Sequence, residues 1–262
     1  MSLFALLGSG EFEPWTAEVD AWVLERARGD GSVLILPTAS APEGDAVFDR
    51  WGDMGMSHYR ELSIPSEVLP LKSRDDAMRP ELVERVRRAS MVFFSGGNPA
   101  YLAATLADTP FWRGILQAMD RGAAYAGCSA GIAALGDVAP DSTSNDPTSA
   151  NFWRRGLGLF PDLYFGPHWD ALDTYVPGLR AMILASVPAD ARMLAIDERT
   201  ALVGDGTAWR VIGSGSAHLL QDGDWRRFGS GTTFEAHIEH HSAANETADP
   251  ASAVAIDPDG GS

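Results

Sequence analysis

The stretch Ala123-Ala124-Tyr125-Ala126-Gly127-Cys128-Ser129-Ala130-Gly131-Ile132-Ala133-Ala134-Leu135 decides how the chain is read. An apolar run, Ala123–Gly127, enters a G-x-S-x-G segment that leads into a helix-compatible run, Ile132–Leu135. A nucleophile elbow needs that order: the glycines permit a sharp strand-to-helix turn that lifts Ser129 into the open and lets a substrate approach the backbone. The helix N-terminus behind it, with the Ala130 amide, is placed to stabilise an oxyanion. Gly- and Ala-rich stretches also serve as plain close-packing sites, so the weight rests on the strand-turn-helix context.

Upstream, short apolar runs alternate with longer amphipathic ones, the pattern of βαβ units. Strands are expected at Leu3–Gly8, Ser32–Pro37, Glu67–Leu71, Met91–Ser95 and Ala123–Gly127. Trp15, Val19, Trp22, Val23 and Ala27 have helical spacing, with Thr16 as N-cap. Further helices are expected over Asp45–Leu62, Pro80–Ala89 and Ala100–Gly122, the last broken at Thr109-Pro110. The fold class is therefore α/β: a doubly wound, mostly parallel sheet with helices on both faces and the elbow after a central strand.

Downstream, Gly136–Asn151 reads as a long Asp-, Ser-, Thr- and Pro-rich loop of functional rather than connecting character, expected to close over the cleft. A strand near Leu163–Gly166 and a helix near Ala171–Ser186 follow. Then Met193–Ile196, Ala201–Val203, Ala208–Ile212, Ala217–Leu220 and Asp224–Phe228 read as hairpins closing one edge of the sheet. Residues 1–241 are expected to form a single hydrolytic domain, and 242–262 a disordered acidic tail.

The 262 residues are 45% hydrophobic and 21% charged, ordinary globular composition. With 20 basic against 36 acidic residues the net charge is −16, which opposes nucleic acid because phosphate binding rests on Lys and Arg. The single cysteine, Cys128, excludes an internal disulfide framework and a multi-Cys zinc site. Leu3–Leu7 is too short for a signal-peptide core and Gly122–Gly136 too short for a membrane span, so a cytoplasmic protein with no membrane partner is expected.

A second chemical signal is Ser95-Gly96-Gly97-Asn98, whose backbone amides at the carboxyl end of a parallel strand complete an oxyanion hole with the elbow. Cys128 competes with Ser129 as nucleophile, but in that frame the flanking positions 126 and 130 are Ala rather than Gly. For the base, His168 in Phe165-Gly166-Pro167-His168-Trp169 and His218 in a late hairpin stand about level, while His58 reads as packed or surface. For the orienting acid, Glu198 and Asp205 both sit at strand ends. His237, His240 and His241 read as solvated, and ordering that tail around a metal is disfavoured, so neither metal nor cofactor is expected. Gly8-Ser9-Gly10 lacks the third glycine of a dinucleotide fingerprint, its place being Glu13.

Taken together, Gly8-Ser9-Gly10-Glu11, Leu36-Pro37-Thr38-Ala39-Ser40, Phe94-Ser95-Gly96-Gly97-Asn98 and Gly127-Cys128-Ser129-Ala130-Gly131 resemble the dipeptidase E and cyanophycinase family of serine peptidases, whose fold is related to class I glutamine amidotransferases. Ser144-Asn145-Asp146, Pro167-His168-Trp169 and Ile196-Asp197-Glu198 extend the resemblance. It implies a Ser129, His168, Glu198 triad, an oxyanion hole from Gly97 and Ala130, and hydrolysis of a small peptide or isopeptide amide at or near aspartyl residues. Gly96, Asn98, Asp146 and Arg180 are the implied substrate contacts, Asp146 for an amino group and Arg180 for a carboxylate. The several Arg residues that follow the histidine in cyanophycinases are replaced here by Trp169-Asp170-Ala171-Leu172-Asp173, which disfavours poly-aspartate substrates. A homodimer is compatible with the resemblance, relatives often being dimers. The alternatives are a Cys128-dependent amidotransferase-like enzyme acting on glutamine and a catalytically silent binding protein of the same fold.

Overall fold

The computed structural model describes residues 2–144 and 146–243. The five expected runs form parallel strands β1 (Leu3–Leu7), β2 (Val33–Leu36), β3 (Ser66–Val68), β4 (Met91–Phe94) and β5 (Ala124–Cys128). Between and after them lie α1 (Ala17–Leu24), α2 (Asp45–Glu61), α3 (Pro80–Val86), α4 (Pro99–Leu106), α5 (Pro110–Asp120) and α6 (Ala130–Ala133). The α4–α5 break falls at Thr109-Pro110, where the Thr109 hydroxyl accepts from Trp112 N and caps α5. Thr16 stands at the start of α1 but does not cap it; its hydroxyl donates to the Glu13 carbonyl instead.

Because helices cover both faces, these strands are apolar at successive positions rather than alternating. Leu3, Ala5 and Leu7 pack with Val19, Val23 and Tyr59 under α1 and α2; Phe4 and Leu6 pack with side chains of α3 to α6 on the other face. Burying one such Leu or Phe side chain contributes about 1.5–3 kcal/mol.

The later strands are β6 (Val138–Pro140), β7 (Trp153–Arg155), β8 (Leu163–Pro167), β9 (Arg192–Ile196), β10 (Thr200–Gly204), β11 (Ala208–Gly213), β12 (Ser216–Gln221), β13 (Asp224–Gly229) and β14 (Thr233–Glu235). The main sheet runs β14-β11-β10-β1-β5-β4-β2-β3, with β10, β11 and β14 from late in the chain antiparallel on the β1 side. Only part of the late chain closes that edge: β13-β12-β9-β8 is a separate four-stranded sheet. Local hairpin signals specify which strands pair, not which sheet receives them. Leu194, Ile196, Ala217 and Leu219 of the small sheet join the main core, while Met193, Ala195 and Trp169 pack beneath two helices on its outer face.

Those helices, α7 (Leu172–Tyr175) and α8 (Leu179–Ser186), replace the single one expected. Pro177 holds Val176 extended, and Gly178 takes φ +81. The expected loop Gly136–Asn151 is also partly regular, since β6 and β7 form a hairpin and only its tip is irregular. No helix of the described residues is long and apolar enough to cross a membrane.

Gly8 joins the two sheets. A Cβ there would lie inside contact distance of the Asp197 and Ile196 carbonyls, so only glycine lets the end of β1 meet the end of β9. Gly8 N–H donates to Thr200 O (2.9 Å) and Arg199 N–H to Ser9 Oγ (3.0 Å), fastening the joint.

Candidate active site

The site lies beyond the carboxyl ends of β1, β4 and β5, where open parallel sheets expose their amides. Ser129 leaves β5 with φ 52 and ψ −107, a backbone costing about 1–3 kcal/mol for a residue bearing a Cβ. Gly131 and Gly127 permit the turn, the first by close approach to the Phe94 carbonyl.

The opposing side chains come from the small sheet. Strands β8 and β9 are parallel, with Pro167 opposite Ile196, so the residues just past their ends are neighbours. His168 Nε2 is 2.5 Å from Ser129 Oγ, and His168 Nδ1 is 3.4 Å from Glu198 Oε1. With Nδ1–H turned toward the carboxylate, Nε2 is left to accept the serine proton. His168 also has positive φ (145).

Two further groups hold Glu198. Its backbone N–H donates to Asp170 Oδ1 (2.8 Å), and the Tyr175 hydroxyl donates to Oε1, the oxygen facing His168. Tyr175 meets the imidazole edge-on, ring centroids 5.9 Å apart. Its phenol is pushed up to about 12, first by the hydrogen bond to Glu198 and then by burial.

On the elbow side, Gly96 N–H donates to Glu11 Oε1 (2.9 Å) and Asn98 N–H to Ala39 O (2.8 Å). The Gly97 and Ala130 amides have no acceptor among the described residues. Cys128 is fully buried and its thiol donates to Glu11 Oε2 (2.9 Å). Burial first, then the Glu11 carboxylate, pushes the thiol well above its ordinary range, so the reactive thiolate is disfavoured.

The remaining candidates have other partners. Gly96 spends its amide on Glu11. Asn98 caps α4 through Oδ1, which accepts from Tyr101 N, and donates Nδ2 to Asp141 Oδ1 (3.0 Å); both ends of its amide are engaged. Arg180 pairs with Asp173 (3.2 Å) over the Trp169 ring, so it is not a free cation. Asp146 is exposed and accepts from Thr148 N (2.9 Å) and Thr148 Oγ1 (2.6 Å); its neighbour Asn145 lies outside the described residues, as do 244–262 of the expected tail.

His218 bonds Asp197 (2.9 Å) rather than Ser129, and Asp205 accepts the Thr207 and Ala208 amides of a turn. His58 is packed, bonding Asp20 at 2.7 Å. The solvated reading of the late histidines holds for exposed His237 and His241 but not for His240, which is half-buried against Phe4 and Phe160 because Ile238 anchors this segment in the core. Among the described residues no three His, Cys, Asp or Glu side chains are grouped to hold a metal.

Sequence reasoning gave no role to Glu11 or Tyr175 and read Asp170 only as a missing cation. Glu11 was visible at the end of the Gly8-Ser9-Gly10-Glu11 stretch after β1. Nothing local signalled its partners, 85 and 117 residues away.

The model of peptidase family S51 matches residues 4–212. The cyanophycinase of Synechococcus elongatus is 28% identical over 230 residues, 85% of this chain and 69% of the relative. That of a Nostoc species is 29% identical over 196 residues, 72% of this chain and 62% of the relative. The crystal structure of a peptidase from an acI-B1 Actinobacterium superposes with a TM-score of 0.82 at 32% identity, over 90% of this chain and 97% of that one. A structure from Listeria monocytogenes EGD-e shares the fold at a TM-score of 0.58 and 19% identity, over 81% and 98% of the two chains.

Proposed function

The chain belongs to peptidase family S51 and is a serine-type peptidase, and from that premise we propose that it cleaves a small peptide or isopeptide amide through Ser129, His168 and Glu198. The observation that carries the reading is the 2.5 Å approach of Ser129 Oγ to His168 Nε2. Ser129 Oγ attacks the scissile carbonyl as His168 takes its proton. Glu198 holds the imidazole in the tautomer that accepts at Nε2 and stabilises the imidazolium. The free amides of Gly97 and Ala130 bind the tetrahedral oxyanion, where losing one donor typically costs ~3–4 kcal/mol of barrier. His168 then returns the proton to the leaving amine, and water hydrolyses the acyl-enzyme by the same steps.

The substrate reading is dipeptidase E-like. Asp170 and Asp173 occupy the stretch after the base and Arg180 is neutralised by Asp173, which works against a substrate carrying many carboxylates. Asp146 remains the proposed anchor for a substrate amino group, so D146A should raise KM several-fold and leave kcat nearly unchanged. The Cys128 alternative requires a thiolate that burial and Glu11 oppose.

The test is a library of α- and β-linked aspartyl dipeptides. Wild type and C128S should release free amino acids while S129A does not. Activity in S129A with none in C128S would transfer the nucleophile to Cys128, and no turnover by any variant would favour the silent binding protein.

A further inference from the structure

Gly96, Gly97 and Asn98 present three consecutive amides beside the nucleophile, and only the middle one is free. Asn98 N–H is taken by Ala39 O, Gly96 N–H by Glu11. Gly97 has φ +143, and a Cβ on it would enter the Ala39 carbonyl, so the loop is pressed against Ala39 on one side. Glu11 holds the other side. A Cβ on Gly96 would lie 3.3 Å from Glu11 Oε1 and 3.8 Å from Ser129 Oγ, which puts this peptide between the carboxylate and the nucleophile.

We propose that Glu11 is the positioning residue of the oxyanion hole, its carboxylate fastening the Gly96 amide and the Cys128 thiol so that the Gly97 amide stays aimed at the oxyanion. The proposal rests on Ser129 being the nucleophile. One carboxylate thereby ties the two segments that supply the hole, the β4 exit carrying Gly97 and the β5 exit carrying Ala130. The Gly97 N–H belongs to the Gly96–Gly97 peptide, and the peptides on either side of it are pinned, Ser95–Gly96 by Glu11 and Gly97–Asn98 by the Ala39 carbonyl, which holds the loop that aims this amide at the developing negative charge. A carboxylate only 5% exposed needs donors, and the Cys128 thiol supplies the second one. Glu11 neither touches substrate nor moves a proton in this scheme.

The kcat/KM split and the rate of Ser129 phosphorylation by diisopropyl fluorophosphate, with fluoride as the leaving group, test the proposal together. E11A should lower kcat and slow phosphorylation about 10- to 100-fold, the effect of a misplaced catalytic group, with KM within about threefold. E11Q keeps an acceptor for Gly96 and turns its NH2 to the sulfur lone pair, so it should recover to within about fivefold of wild type. If E11A does not fold, E11D, a methylene too short to reach both donors, should show the same loss. Wild-type rates in E11A or E11D, or equal losses in E11A and E11Q, would overturn the role of Glu11. A wild-type protein not phosphorylated by the reagent at Ser129 would overturn the nucleophile reading and this proposal with it.

Discussion

The two halves of the site are built on different principles. The elbow half grows from the centre of the eight-stranded sheet, where Glu11, Gly96 and Cys128 are buried and the main chain supplies the Gly97 and Ala130 amides. The base half stands on the ends of β8 and β9 in a separate sheet; His168 and Glu198 are partly exposed, their mutual bond is long, and Tyr175 over them is more than half exposed. Buried hydrogen bonds and close packing fix the first half, while side-chain hydrogen bonds at the surface fix the second. Substitutions in the base half should therefore change chemistry and spare the fold, and those in the elbow half or at the joint should change both.

The largest effect is expected from H168A: kcat should fall by about 10³-fold or more while the melting temperature stays within about 2 °C, because in the proposed mechanism the side chain transfers the proton, while it adds little to the core. A large loss of stability would erase the contrast between the halves. Next is G8A at the joint. Its methyl group displaces the end of β9 from β1, so kcat should fall about 10²-fold with the protein also destabilised, measured by steady-state kinetics and thermal melting.

A smaller effect is expected from Y175F. Removing the phenol concentrates the Glu198 charge on His168 and stabilises the imidazolium, so the acid limb of the kcat/KM profile should move to higher pH by up to about one unit, with kcat changed only a few-fold. An unmoved limb would deny Tyr175 any part in tuning the base. In wild type the phenol, pushed up to about 12, should add no inflection at neutral or mildly alkaline pH.

The smallest effect concerns Cys128. Its folded-state pKa is raised above the unfolded value, so the stability it contributes is fully present below the ordinary thiol pKa of about 8.5 and lost as pH rises toward the folded value. Between pH 8.5 and 10 wild type should lose stability faster than C128S, by no more than about 1.4 kcal/mol per pH unit, in denaturant titrations.

What the sequence made legible follows the same division. The elbow, the parallel strands and the glycine pair after β4 are local signals, each contained in a few residues. The joint is not local: nothing around Gly8 announces that it will meet Asp197. His168 and His218 were level because both lie in the small sheet, and the neighbouring residues Asp197 and Glu198 serve one histidine each. Family resemblance, rather than spacing, favoured His168. The hairpin β6–β7 escaped because Asp, Ser, Thr and Pro at its tip outweighed two short edge strands.

The central claim, that the half-buried elbow serine and not its fully buried thiol neighbour is the nucleophile, is tested most directly by intact-mass and peptide-level analysis after treatment with diisopropyl fluorophosphate. One adduct on Ser129, present in wild type and C128S and absent in S129A, is the predicted result. An adduct that survives in S129A and disappears in C128S would contradict the account.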